Sequence, residues 1–183
     1  MSGNSYPKTI SKASPVSIVY NIAEIILLSL IGALGVLMHA YLRFPLNVPG
    51  HMGLLYMALL FGGRLISKKS YASSLSSLGA AFMLLFPLGF HDPFLPVIYF
   101  VPGLVVDLSY KYAERMYLKI IFAGIAYAMI PLTRLIITLT TGFVYGSFAK
   151  HGIVIPILSH FAFAVAGASI ALCAVIFFKK VRK

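Results

Sequence analysis

SIVYNIAEIILLSLIGALGVLMHAYL, residues 17–42, carries one formally charged side chain, Glu24. The hydrocarbon core of a bilayer takes about 20 apolar residues per helix, so this stretch reads as a membrane-spanning helix. The rest of the chain repeats the pattern. With 183 residues, 60% hydrophobic, 10% charged and a mean hydropathy of +0.95, the chain has more apolar surface than a soluble domain of this size could bury. Hydropathy predicts further spans at residues 50–66, 72–90, 94–110, 118–143 and 152–178. The expected fold is therefore an all-α integral membrane protein, a bundle of six transmembrane helices forming a single domain over residues 1–183. Residues 1–16 form a polar N-terminal segment. Its sequence, MSGNSYPKTISKASP to residue 15, is too long and lacks the cleavage pattern expected of a signal-peptide n-region. Cys173 is the single cysteine and lies in an apolar run, so neither a disulfide nor a CxxC metal motif is available.

A net charge of +11 could indicate a nucleic-acid partner, but the positions of the basic residues point elsewhere. Lysine and arginine concentrate in the cytoplasmic loops of membrane proteins. With the N-terminus inside, Lys8, Lys12, Arg64, Lys68, Lys69, Lys111, Arg115, Lys119, Lys179, Lys180, Arg182 and Lys183 all fall on the inner side. Arg43 and Lys150 fall outside, and Arg134 lies within the fifth span. Both termini are thus expected in the cytoplasm, and the charge reports topology rather than nucleic-acid binding.

This topology places RFPLNVPGH, residues 43–51, on the outer face. Pro45 and Pro49 lack an N–H and push their predecessors toward extended geometry, and Pro49-Gly50 reads as a turn into a helix start. A stiff outer loop is expected. Pro102 within a second VPG, and Pro131 and Pro156 further on, interrupt the fourth, fifth and sixth spans. Neighbouring helices can take up the carbonyls that such prolines free. Small residues at helical spacing mark close packing: Ser29, Gly32 and Ala33 in the first span, Ser73, Ser77 and Ala81 in the third, Ala164, Ala168 and Ala171 in the sixth. These faces either pack inside the bundle or, for the first span, dock another membrane subunit.

Topology also sets the depth of the histidines. His51, His91 and His151 fall at outer ends of spans, His39 about one turn and His160 about two turns inside theirs, with Asp92 and Asn47 on the same side. Ionisable groups at membrane depth line cavities or pathways by default. Arg134 is the deepest charge, and a guanidinium there either meets a carboxylate or phosphate of a ligand, or snorkels, or bonds carbonyls freed by Pro131. Arg134, His39, His51, His91, Asn47 and His160 are the expected ligand-binding residues. His51, His91, Asp92 and His151 are a candidate set for a divalent metal, since neutral imidazole is the commonest metal ligand. His39 and His160, at similar depth on different helices, could instead ligate a haem. On the inner side, Asp107 precedes Lys111 by one helical turn and Glu24 lies where Arg64 could neutralise it. No Walker A loop, HExxH or hydrolytic triad pattern is found, so a catalytic role is not expected and any energy from ATP must come through another subunit.

A six-helix membrane chain with both ends inside and no nucleotide site resembles the substrate-binding S components of energy-coupling factor (ECF) transporters. RFPLNVPGHMGLLYMALLFGGRLIS, residues 43–67, is similar to the stretch that biotin-type members place between helices 1 and 2. The resemblance implies an external loop that covers the ligand, and a small-residue face at Ser29, Gly32 and Ala33 where the family contacts its transmembrane scaffold subunit. It further implies partner ATPase subunits, a small vitamin-like ligand or metal ion, and the cell membrane of a prokaryote. The AxxxA pattern of the family's docking helix is absent, as is the Met-His-Ile start of the nickel and cobalt members. Two other classes remain open: a haem- or quinone-binding subunit of a redox complex, and a non-catalytic structural subunit.

Overall fold

The computed structural model of the chain describes residues 15–42, 48–86, 88, 90 and 92–182. Among these, every regular element is a helix: α1 (Pro15–Tyr41), α2 (Gly53–Ile66), α3 (Ala72–Met83), α4 (Leu95–Tyr112), α5 (Met116–Thr141), the six-residue α6 (Gly146–His151) and α7 (Val154–Val181). Three of them, α1, α5 and α7, are long and apolar enough to cross a membrane. The all-helical fold matches the sequence expectation. Of the six predicted spans, the second and third correspond to helices of 14 and 12 residues, roughly 21 and 18 Å long at 1.5 Å per residue.

The third span is the clearest departure. It was expected to continue to residue 90, but α3 ends at Met83, where Leu85 and Phe86 donate to Phe82 and Met83 in tightened three-residue turns. Pro87 disfavours helical geometry at the residue before it, which gives the helix no way to extend. The internal prolines act differently from one another. Pro102 and Pro131 sit inside continuous helices. Near Pro102, whose missing N–H would have bonded Ile98, the Tyr56 hydroxyl donates to the Tyr99 carbonyl at 2.8 Å and the Ser77 hydroxyl to the Phe100 carbonyl at 3.2 Å, so side chains of neighbouring helices bond the carbonyls just past it. Pro156 does not interrupt its helix at all. It lies in the first turn of α7, where its missing N–H would have found no intrahelical partner.

Helix α2, apolar on nearly every side, is the central element and touches α1, α3, α4, α5 and α7. The other helices pass around it in the order α1, α3, α4, α5, α7, each against the next. The arc stays open, because α1 and α7 share no contact among the described residues.

Glycine sets the closest approaches. A Cβ at Gly32 would lie 1.6 Å from the Ser76 carbonyl oxygen, and one at Gly79 would lie 2.1 Å from that of Ser29. The α1 face at Ser29 and Gly32, expected to dock a partner subunit, is therefore taken up by α3 within the chain. Ala33, beside it, is half-buried.

The acids of the predicted inner side also have partners other than those expected. The Asp107 carboxylate accepts from the Ser73 N–H at 3.1 Å, the Ser74 N–H at 2.7 Å and the Ser74 hydroxyl at 2.6 Å. A side chain of α4 thereby caps the first turn of α3, whose N–H groups lack intrahelical acceptors. Arg64, not Lys111, is the cation of Asp107: its Nε lies 3.1 Å from Oδ1, an attraction of charge without hydrogen-bond alignment. Glu24 accepts from the Ser67 hydroxyl at 2.6 Å and pairs with Lys69 at 3.6 Å, rather than with Arg64.

Candidate ligand pocket

Five segments converge on one cavity of about 220 Å³. His39 comes from the last turn of α1, and residues 48–52 lead into α2. Tyr99 comes from α4, and Tyr127, Ile130, Pro131 and Arg134 form a single stripe of α5 at spacings of three and four. Pro156 and His160, one turn apart, come from the start of α7.

The turn before α2 is a wall of this cavity. Gly50 adopts φ 84°, a left-handed conformation that favours glycine, and a Cβ there would lie 2.5 Å from His160 Nδ1. Backbone therefore packs directly on an imidazole. His51 turns back to donate from Nδ1 to the Val48 carbonyl at 2.8 Å, which closes the turn.

Beneath lies a floor of tyrosines that sequence reading missed. Tyr56, Tyr99 and Tyr127 are all buried, with ring centroids 5.1 Å apart for Tyr56–Tyr99 and 5.9 Å for Tyr56–Tyr127. The Tyr99 hydroxyl bonds His39 Nδ1. His160 Nδ1–H donates to the Pro156 carbonyl at 2.7 Å, which leaves Nε2 of the neutral ring as an acceptor. Its ring stacks on Tyr127 at 5.2 Å. The signal available for the tyrosines was their place in the middle of otherwise apolar spans, where a hydroxyl needs a partner.

Among the described residues Arg134 is the only lysine or arginine lining the cavity, and no acid lines it with Arg134. The two ion pairs found among the described residues lie elsewhere, at Arg64–Asp107 and Lys69–Glu24. Arg134 Nε is buried and has no hydrogen-bond partner, so it does not take a carbonyl freed by Pro131. One face of the guanidinium is covered by the Tyr145 ring, 5.2 Å from its centroid. Desolvation by burial, reinforced by the charge of Asp92, pushes the Tyr145 hydroxyl up to about 12, so it remains neutral and directs its O–H to Asp92 Oδ1 at 3.4 Å.

Of the six expected ligand-binding residues, His39, His51, Arg134 and His160 line this cavity. His91 and Asn47 lie outside the described residues, as do Arg43 and Pro45. Asp92 faces a neighbouring hollow and bonds the Phe94 N–H at 2.9 Å, while His151 ends α6 away from the cavity lining. Among the described residues no group of three His, Cys, Asp or Glu side chains is arranged to hold a metal, so His51, Asp92 and His151 do not form the expected set by themselves. His39 and His160 do share the cavity, but its 220 Å³ falls below the roughly 300–1,000 Å³ of pockets for drug-sized ligands and is too small for a tetrapyrrole.

Comparison with protein families, with curated proteins and with solved structures finds no match to any of them. Chemistry and geometry therefore carry the functional reading.

Proposed function

We propose that the chain is the substrate-capture subunit of a multi-subunit importer in a prokaryotic cell membrane, similar in role to an ECF S component. It crosses the bilayer six times with both ends inside, and it holds a small carboxylate-bearing molecule beneath residues 43–51. The observation that carries this reading is the guanidinium of Arg134, which lines the cavity with a buried, unpartnered Nε and no acid among the described lining residues. A partly buried cation is stabilised where it is paired, and a ligand carboxylate would supply that pair. The planar fork of arginine suits a carboxylate approaching its edge.

The remaining polar groups narrow the ligand. His160 offers an acceptor at Nε2, so a molecule with a carboxylate at one end and an N–H or O–H elsewhere uses both Arg134 and His160. A cavity of 220 Å³ equals about seven water volumes, which suits a compact metabolite. A scaffold subunit and ATPase subunits would complete the importer. With Ser29 and Gly32 packed on α3, scaffold docking would use other faces of α1 or of its neighbours.

Native mass spectrometry of the gently purified full chain tests the proposal. The expected result is a small acid carried by wild type and lost in Arg134→Met at unchanged thermal stability. Wild type free of any acid after growth on rich medium, or an acid retained by Arg134→Met, overturns it. A Soret band in the purified protein would establish the haem reading in its place.

A further inference from the structure

We propose that the groove between the C-terminal ends of α2 and α7 is a binding site for one anionic phospholipid. Its apolar wall is Leu65 and Ile66 of α2 with Val175 and Phe178 of α7, and its charged end is Lys179 and Arg182. The groove encloses about 330 Å³. Four of these residues, 175, 178, 179 and 182, follow helical spacing and so share one face of α7. That face changes from apolar to cationic along its length over roughly 10 Å of rise. A phospholipid has the same order of parts, since its acyl chains give way to a phosphate across a headgroup region roughly 5–7 Å thick.

Two further observations favour a lipid occupant. The apolar wall is itself open to the surroundings, with Ile66 73% and Phe178 70% exposed, so an acyl chain can enter sideways from the bilayer. No acid pairs with Lys179 or Arg182 among the described residues, so the cationic end is available to a phosphate. The site is remote from the Arg134 cavity and holds whichever leaflet the α7 end faces.

Lys180 provides an internal control. It is as basic as its neighbours but points to the opposite side of α7, about 100° from Lys179 and further from Arg182. Full-length protein is reconstituted in nanodiscs of phosphatidylcholine with a minor share of phosphatidylglycerol, released, and weighed by native mass spectrometry. Wild type and Lys180→Gln are expected to retain one phosphatidylglycerol. Lys179→Gln/Arg182→Gln should reduce that retention roughly tenfold or more, the scale of two cationic contacts at a membrane surface. Phe178→Gln, which removes only apolar wall, should reduce it as well. Equal losses in Lys180→Gln and the double variant would mean non-specific attraction to a basic end and overturn the site. Retention by the double variant would overturn it too, and displacement of the lipid by soluble glycerol phosphate would show a simple phosphate site instead.

Discussion

At the scale of single residues, the pocket depends on one charge and one conformation. Arg134→Met removes the only lysine or arginine of the cavity lining among the described residues, and loss of a charge-assisted pair costs about 1.5–3 kcal/mol, roughly ten- to 150-fold in affinity. Arg134→Lys keeps the charge without the planar fork and should fall between the two. Ligand dissociation rates for the three proteins check this ranking, and equal rates would remove Arg134 from the site. Gly50→Ala is the conformational counterpart. A φ of 84° and a Cβ 2.5 Å from His160 Nδ1 make alanine strained and crowded there. Strain of this kind costs about 1–3 kcal/mol, and it should move the turn off His160 and speed ligand release. Thermal stability and off-rate, measured together on Gly50→Ala, separate the two effects.

At the scale of helices, close packing is decided glycine by glycine. Gly32 brings α1 against the backbone of α3, where an added Cβ would sit 1.6 Å from the Ser76 oxygen. Gly32→Ala should force the two helices apart at a cost of about 1–3 kcal/mol. At Gly62 in α2, an added Cβ would meet only the Ala171 Cβ at 3.7 Å, an ordinary contact. Gly62→Ala should leave packing intact and gain about 0.5–1 kcal/mol from reduced backbone freedom in the unfolded state. Unfolding midpoints of both variants in one detergent should move in opposite directions. A common direction would mean that Gly32 is not at the contact described. The cap that Asp107 gives α3 belongs to the same scale, because a helix of twelve residues has little cooperative stability of its own.

At the scale of the whole molecule, the proposed orientation rests on twelve basic residues on one side against two on the other. A cysteine at Lys68 should be shielded from an impermeant thiol reagent added to intact cells, and one at Val48 should be labelled. Val48 is 41% exposed and lines the mouth of the cavity, so ligand should slow its labelling. The reverse pattern would turn the pocket toward the cytoplasm and end the importer proposal. Cys173, exposed on α7, should first be replaced by serine so that it does not report.

Composition alone determined that the chain is helical and suited to lipid, because backbone groups out of water must bond within their own segment. Depth was legible too. Distances from span ends placed His39, His160 and Arg134 one, two and about three turns inside the same side, and the structure brings them to one cavity with His51. What the sequence could not supply was azimuth, the direction in which each residue faces around its helix. In a soluble protein the polar face marks the outside, but helices such as α2 and α7 are apolar on almost every side, so no face is distinguished. Only the tertiary structure decided that Ser29 and Gly32 meet α3, that Asp107 caps α3 and pairs with Arg64, and that three tyrosines lie under the histidines. Each of those contacts joins residues tens of positions apart, and its partner is chosen by which helices become neighbours around α2 rather than by any local pattern.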